Sequence, residues 1–371
     1  MKIACTIIHA LRSYASKYIL EVSKYWVKAG HEVEVFTNKF DAFPEGVKVH
    51  RLPVPFENHL LREAFFSFES TLAVNLYKIF KKYDITFAQA TRFFTPKICY
   101  QHFTYKVWAR MNNSNSLRDK IISYIEQRNL KKCKRIVTVS QLVKNEIIKW
   151  HGIGAEKIDV VYIGVDTNLF SPKNKRKYKK EIREQLGIEK DTIVLLFVGR
   201  AFYRKGLHYL IHALKFLKEK NYKLLILGKS SQGDSIHKYL KQAHSFGVDK
   251  NVIYAGFSKE VYKYFSAADI FVFPTLYEPF GLVILEAMSS GLAVITSSTS
   301  YCGAAELIEN NKSGLLLQNP KNPEEIAEKI NLLLENNYLR KKLSRNARKK
   351  AEKYTWKKTA KELLNVFEKV I

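Results

Sequence analysis

The chain has 371 residues, of which 46% are hydrophobic and 26% charged, a globular composition on a chain too long for one typical hydrophobic core. Its four cysteines are widely scattered, which argues against a zinc site and a disulfide framework and is typical of a reducing cytoplasm. The formal net charge of +27 leaves three interpretations open: a nucleic-acid partner, an anionic membrane surface, or a lysine-rich surface with no specific partner.

The basic residues are clustered. The densest runs lie at residues 130–135, 173–180 and 345–358. They occur without a helix-turn-helix, RNA-binding or zinc-finger signature, so we expect solvated faces or contact with anionic lipid rather than nucleic acid. The first eight residues are too short for a signal peptide, and the sequence has no run of about 18 apolar residues. We therefore expect a cytoplasmic protein, peripheral at the inner face of the cytoplasmic membrane.

Short β-rich runs alternate with helical patterns through the first half of the chain. Strands are predicted at residues 2–8, 32–36, 85–88, 135–139 and 159–163, with helices at 14–28, 62–82, 117–131 and 142–150. Gly30 provides a left-handed cap after the first helix. Such alternation predicts a parallel sheet with crossover helices.

The pattern pauses after Gly164, and residues 166–180 are the predicted linker. It then resumes with strands at 192–198, 223–227, 252–255, 269–273, 292–296 and 314–317. Helices are predicted between them at 207–218, 234–246, 259–267, 282–290 and 304–309. The fold class is therefore α/β, with one Rossmann-like domain at residues 1–165 and a second at 181–354.

Two carboxylates eight residues apart mark the first candidate site. Glu278 follows the buried run 269–274, at the carboxyl end of a strand, where open α/β sheets bind their ligands. Glu286 lies inside the next helix among apolar neighbours, where a carboxylate is seldom buried without a partner. Between them, the amides of the first helical turn can hold an anion. Carboxylates for hydroxyl groups and amides for phosphate together predict a nucleotide-sugar site.

A turn rich in cations is the second candidate site. Residues 199–206, here called the cationic turn, carry Arg200, Arg204 and Lys205 just before a predicted helix. Cations are unfavourable at a helix N-terminus by about 0.3–1 kcal/mol each, so we expect an anionic group opposite them. A diphosphate would suit, because hydrogen bonds to charged groups contribute about 1.5–3 kcal/mol each. The alternative is that the three side chains extend into solvent.

Together with several shorter motifs, these features resemble the retaining GT-B glycosyltransferases of group 1, also called family four. The resemblance covers nearly the whole chain, and its motifs are Gly199-Arg200 with Lys205-Gly206, Glu278 to Glu286 around Phe280-Gly281, Ser140, Gly164-Val165-Asp166, Gly291 and Trp356. It implies two Rossmann-like domains facing a cleft, with residues 355–371 crossing back to the first domain.

The resemblance also implies roles for the site residues. Arg200 and Lys205 would neutralise the donor diphosphate, whereas Glu278 would contact the sugar hydroxyls and Glu286 the ribose. Four consecutive main-chain amides would hold sugar and phosphate: those of Phe280, Gly281, Leu282 and Val283. Members of the family need no metal ion, which agrees with cations and helix amides directed at the leaving diphosphate.

The first domain should bind the acceptor, and here the sequence departs from the family. Residues 9–17 lack the glycine pair that many members carry, which limits the approach of backbone to a ligand and suggests Arg12 or Lys17 as replacement contacts. His102 follows a predicted strand, and the resemblance implies a position near the reacting sugar. A core or surface histidine is the alternative interpretation.

Within the family, four short runs are similar to the glucosyltransferases that modify the heptose of the lipopolysaccharide core: Asn58-His59 with Arg62, 97–100, 202–206 and Cys302-Gly303. We therefore expect transfer of a hexose, with UDP-glucose as donor and a lipid-linked or lipopolysaccharide-type glycan as acceptor. One alternative is a GT-B nucleotide-sugar epimerase or inverting transferase. The other is a nucleotide-sugar-binding partner protein without activity of its own.

Overall fold

The computed structural model describes residues 1–10, 14–89, 96–112, 114–219, 221–230 and 233–371. Within them the chain forms two compact units, each built on its own parallel sheet. The first unit comprises Met1–Ile163 and Trp356–Ile371, and the second comprises Gly164–Thr355. The predicted fold class, α/β with two Rossmann-like domains, is confirmed.

The first unit alternates strands with helices along most of its length. Its strands are β1 (Lys2–Thr6), β2 (His9–Ala10), β3 (Glu32–Thr37), β4 (Lys39–Phe40), β5 (Val47–Arg51), β6 (Ile85–Gln89), β7 (Ile98–Gln101), β8 (Arg135–Thr138) and β9 (Ile158–Val160). Its helices within Met1–Ile163 are α1 (Tyr14–Lys28), α2 (His59–Phe80), α3 (Tyr105–Met111), α4 (Leu117–Lys132) and α5 (Gln141–His151).

Seven strands of the first unit form one sheet in the order β5–β3–β1–β6–β7–β8–β9, and all neighbours run parallel. The central strands are apolar and buried on both faces, as expected where helices cover a parallel sheet. The order reverses between β1 and β6, which is the point at which such sheets bind ligands.

The last helix of the chain completes the first unit. Trp26 of α1 donates its indole N–H to the carbonyl of Ala360, 3.0 Å away, and its ring lies 5.3 Å from that of Phe367. Residues Trp356–Glu368 form this final helix, numbered α13 below in chain order. Its buried apolar side chains therefore belong to the core of the first unit.

The second unit begins with a helix and then alternates regularly. Its strands are β10 (Ile193–Val198), β11 (Tyr222–Leu227), β12 (Val252–Gly256), β13 (Ile270–Phe273), β14 (Ala293–Ser297) and β15 (Leu315–Leu317). Its helices are α6 (Asn174–Gln185), α7 (Leu207–Ala213), α8 (Ile236–Ser245), α9 (Val261–Ala267), α10 (Leu282–Ser289), α11 (Pro323–Glu335) and α12 (Asn337–Ala351). The predicted helix at 304–309 is a 3₁₀ segment, Gly303–Leu307.

The strands of the second sheet lie in the order β12–β11–β10–β13–β14–β15, all parallel. The order reverses between β10 and β13, which are hydrogen-bonded neighbours with Leu195 opposite Ile270. Since both strands run the same way, the loops that follow them emerge at the same edge of the sheet. The cationic turn follows β10, and the loop carrying Glu278 follows β13.

The predicted linker at residues 166–180 is wrong in part, because α6 begins at Asn174 within it. The run of lysines forms the first part of an amphipathic helix, and the buried residues of this helix, Ile182 and Arg183, lie near its C-terminal end. The guanidinium of Arg183 donates to the carbonyl of Ala267 (3.0 Å) and to the carboxylate of Asp269 (2.7 Å). These bonds fasten α6 to the second unit.

Strand β5 and helix α3 are among the elements of the first unit that were not predicted. Strand β5 is an edge strand whose residues are only partly buried, so its sequence lacks a continuous apolar run. Helix α3 has seven residues, too few for a helical period to emerge. Among the helices that the structure describes, none has both the length and the apolar character needed to cross a membrane.

Candidate functional site

The candidate site lies at the edge of the second sheet where the strand order reverses. The cationic turn and residues 274–281, here called the acidic loop, leave the adjacent strands β10 and β13 at this edge. Arg204 of the cationic turn accepts two hydrogen bonds at its main-chain oxygen, from the Leu276 amide (2.8 Å) and the Thr275 hydroxyl (3.2 Å). The two segments are thus joined directly.

Lys205 and Glu278 contact each other at the centre of the site. The ammonium of Lys205 pairs with the carboxylate Oε2 of Glu278, and the two side chains are 10% and 15% exposed. Burial and the adjacent Arg204 guanidinium lower the pKa of Lys205 well below its usual range, whereas contact with the carboxylate opposes that shift. Sequence reasoning gave these residues separate partners, and the structure brings them together.

The two arginines of the cationic turn occupy different surroundings. Arg200 is exposed, and its guanidinium lies 5.9 Å from the ring centre of Phe257, at the end of β12. Arg204 is the closer of the two to the acid: its Nη1 lies 3.8 Å from Oε2 of Glu278 and donates to the carbonyl of Tyr277 at 2.7 Å. Sequence reasoning assigned no ligand to Arg204, although its position beside Lys205 was the available signal.

Helix α10 begins at Leu282, four residues after Glu278. Gly281 precedes its first residue with φ +99°, a left-handed conformation that favours glycine. A β-carbon at Gly281 would lie 3.0 Å from Cγ of Glu278, so the missing side chain also makes room for this carboxylate. The amides of Leu282 and Val283 occupy the first helical positions, which no carbonyl of the same helix can reach. They are available to an anion.

Glu286 lies within α10 and is only 4% exposed. It lies eight residues after Glu278, in the second turn of α10. The two acids therefore differ in setting, since Glu278 belongs to a loop and Glu286 to a helix packed on all sides. This difference fits two separate contacts better than one shared proton.

A second segment, residues 301–304, is hydrogen-bonded to the acidic loop. The amide of Glu278 donates to the carbonyl of Tyr301 (2.7 Å), and its own carbonyl accepts from Gly303 (2.9 Å). The carbonyl of Phe280 accepts from the amide of Ala304 (2.7 Å) and from the thiol of Cys302 (3.5 Å). Burial raises the pKa of Cys302 to about 11, so its thiol stays protonated at neutral pH. Sequence reasoning missed this support, because three of the four bonds join main-chain atoms only.

His102 lies in the first unit, where it follows β7. Its imidazole is partly buried and packs edge-on against the rings of Tyr18 (4.9 Å) and Tyr100 (4.7 Å). The aromatic neighbours fix the plane of the imidazole at the carboxyl end of the sheet. Of the predicted acceptor contacts, Lys17 lies in α1, and Arg12 falls outside the described residues. Within the described ranges, no group of three or more His, Cys, Asp or Glu is placed to hold a metal ion.

Two Rossmann-like units, with cations, acids and helix amides at the switch point of the second, are typical of GT-B glycosyltransferases. Residues 15–169 match the family model described as Glycosyltransferase Family 4, and residues 178–350 match Glycosyl transferases group 1. A glycosyltransferase of Methanocaldococcus jannaschii, MJ1607, is 32% identical over 364 residues, covering 92% of this chain and 90% of that protein. The chain belongs to the group 1 glycosyltransferases of the family-four type.

Solved structures of three proteins show the same fold at low sequence identity. Sucrose-phosphate synthase from Thermosynechococcus elongatus has a TM-score of 0.82 at 21% identity, covering 99% of this chain and 98% of that one. WaaG, a glycosyltransferase of lipopolysaccharide biosynthesis, has a TM-score of 0.79 at 20% identity, covering 98% and 99%. HepE of Anabaena, in complex with UDP-glucose, has a TM-score of 0.77 at 20% identity, covering both chains fully (100%).

Proposed function

We propose that this glycosyltransferase transfers glucose from UDP-glucose to a lipid-linked or lipopolysaccharide-core-type glycan, with retention of the anomeric configuration. The observation that carries the proposal is the pairing of Lys205 with Glu278 at the switch point of the second sheet. It places an ammonium suited to phosphate beside a carboxylate suited to sugar hydroxyls, and the first amides of α10 lie next in the chain.

Each residue of the site has a distinct role in this proposal. Lys205 and the exposed Arg200 bind the diphosphate, and Glu278 accepts hydrogen bonds from hydroxyl groups of the sugar. The main chain from Phe280 to Val283 lies against sugar and phosphate. Glu286, lower in α10, binds the ribose hydroxyls. His102 of the first unit hydrogen-bonds the donor sugar.

The transfer itself breaks the bond between the anomeric carbon and the diphosphate oxygen. The acceptor hydroxyl forms its new bond to the same face of the sugar, and its proton passes to the departing diphosphate oxygen. Negative charge therefore grows on the diphosphate in the transition state, where fixed cations and amides stabilise it most. Lys205, Arg200 and the α10 amides supply this stabilisation, so we propose that the reaction needs no metal ion.

Two structural likenesses support the choice of substrates. HepE has the same fold and was solved with UDP-glucose, and WaaG has the same fold and acts in lipopolysaccharide biosynthesis. The same fold also occurs in sucrose-phosphate synthase, so the choice of acceptor rests on the four short runs that resemble the lipopolysaccharide-core glucosyltransferases.

An apolar stripe on α2 supports work at a membrane surface. Leu61, Phe68, Leu72, Leu76 and Ile79 are each 49% exposed or more, and their spacing puts them on one face of the helix. Two lysines lie near the end of this helix, at positions 78 and 82. Apolar side chains with nearby cations are the combination that binds anionic lipid headgroups. We place the enzyme at the inner face of the cytoplasmic membrane.

The donor half is tested by a thermal-shift panel of UDP-, GDP- and ADP-glucose. A ligand that binds only the folded protein raises its apparent stability by about 2.7 kcal/mol at 100 times its Kd. We expect a shift with UDP-glucose and smaller shifts with the other two. NMR of the product should then show the same anomeric configuration as the donor. An inverted product, or an equal response to all three nucleotides, would overturn the corresponding part of the proposal.

A further inference from the structure

We propose that Arg204 is a positioning residue that orients Glu278, a role that rests on the proposed donor site and deepens it. The residue is joined to the acidic loop at both its main chain and its side chain. Its carbonyl accepts from Leu276 and Thr275, and its guanidinium donates to the carbonyl of Tyr277. Arg204 thus holds three consecutive residues, and Glu278 is the next one.

The side-chain bond is the decisive part. The carbonyl of Tyr277 is part of the peptide bond that joins Tyr277 to Glu278. The hydrogen bond from Arg204 Nη1 to this carbonyl (2.7 Å) therefore holds the backbone from which the Glu278 carboxylate projects. The same Nη1 atom lies 3.8 Å from Oε2 of Glu278 and stabilises the carboxylate in that orientation. One guanidinium therefore holds the backbone next to Glu278 and also lies beside its carboxylate.

A lysine at this position could not do the same. A guanidinium presents five N–H donors in a rigid plane, whereas an ammonium is a compact charge on a flexible stem. Lysine would preserve the positive charge near the diphosphate but lose the directed bond to Tyr277. The substitution Arg204→Lys therefore separates orientation of Glu278 from electrostatic attraction of phosphate.

The experiment measures UDP binding by calorimetry and glucose release from UDP-glucose without acceptor, in the wild type and in Arg204→Lys. Arg345→Lys, at an exposed position of α12, is the matched control. We expect Arg204→Lys to lower kcat about ten-fold while the Kd of UDP changes less than about three-fold. In a Glu278→Gln background the same substitution should change kcat less than about two-fold, because the acid it positions is absent.

A measurement without any donor gives an independent test. Amide hydrogen exchange of residues 275–281 should be about ten-fold faster in Arg204→Lys than in Arg345→Lys. Unchanged exchange overturns the positioning role. Weaker UDP binding that matches the loss of kcat also overturns it and makes Arg204 a phosphate ligand. Failure of the wild type to bind any nucleotide or sugar nucleotide would instead overturn the proposed donor, and the exchange result would still decide the role of Arg204.

Discussion

Gly206 lies so close to Pro274 that a β-carbon on the glycine would fall 1.9 Å from the proline carbonyl oxygen. Gly206 ends the cationic turn with φ +76°, and Pro274 begins the acidic loop. The absent side chain therefore lets the two segments touch, which is the condition for Lys205 to meet Glu278.

Replacing Gly206 with alanine should separate the two segments. The left-handed backbone alone makes alanine unfavourable by about 1 kcal/mol, and the overlap with Pro274 adds to this. We expect a loss of unfolding free energy of at least about 2 kcal/mol and weaker UDP binding. Gly247→Ala is the matched control, because Gly247 has φ +67° and open space where the β-carbon would be. Equal losses in both variants, measured by denaturant unfolding, would contradict the overlap.

Removing either partner of the central pair should abolish transfer. We expect Lys205→Ala and Glu278→Ala each to lower turnover at least about 100-fold, because fixed charges at the reacting centre stabilise the transition state. Both variants should remain folded by circular dichroism, since Arg204 still faces Glu278 in the first and Lys205 borders Phe273 in the second. Lys341→Ala, exposed on α12, serves as the control. Near-normal turnover in both variants would show that this is not the active site.

Acid should destabilise the first unit through Glu34. Burial raises the pKa of this carboxyl, but hydrogen bonds from Lys81 (2.6 Å), Tyr83 (2.8 Å) and His50 (2.7 Å) outweigh it and lower the pKa from 4.5 to about 2. The unfolded chain thus binds the proton more tightly. The stabilisation is present above about pH 4.5 and is lost as the pH falls toward 2; its size is about 3 kcal/mol.

Denaturant unfolding of wild type and Glu34→Gln between pH 7 and pH 3 tests this dependence. The difference in unfolding free energy should be largest at pH 7 and shrink as the pH falls below 4.5. Glu260→Gln is the control, because Glu260 also pairs with a lysine, Lys263, but at an exposed position where solvent screens the pair. A difference for Glu34→Gln that stays constant across this range would refute the assigned cause.

Membrane association should depend on the apolar stripe of α2. Each inserted side chain contributes about 1.5–3 kcal/mol when fully buried, so Phe68→Ser with Leu72→Ser should reduce binding at least about ten-fold. Flotation with vesicles containing anionic phosphatidylglycerol measures it. Tyr338→Ser is the control, since Tyr338 is 70% exposed in the second unit. Binding that is insensitive both to this double substitution and to high salt would exclude the surface and the electrostatic anchor.

Much of the fold could be predicted because regular elements carry a period. Helix α1 was predicted with its observed bounds, and Gly30 has the left-handed φ of +81° expected of its cap. Strand β5 is half-exposed and helix α3 is short, so their hydrophobic patterns cannot be distinguished from those of loops. The lysines of α6 were interpreted as a linker because the buried side chains of this helix, Ile182 and Arg183, come only after them.

The site was predictable to the level of the sheet edge. Because β10 and β13 are parallel neighbours, the loops that carry Lys205 and Glu278 lie at one edge of the sheet, independent of side-chain conformation. The alternation of strands and helices in the sequence predicts this arrangement. The direct contact between the two, and the bonds of Arg204, depend on rotamers and on main-chain positions in the loops. Rotamers and loop main-chain positions leave no periodic pattern in the sequence, so these contacts are known only from the structure.

The position of α13 has a consequence for the order of folding. The rings of Trp26 and Phe87 both pack against Phe367, at 5.3 Å each, although Phe367 follows the whole of the second unit, Gly164–Thr355, in the chain. A ribosome therefore releases the whole of Gly164–Thr355 before it releases the helix that seals the first core. The later unit in sequence can finish folding first, and the nascent first unit keeps an apolar groove beside α1 until α13 has been synthesised.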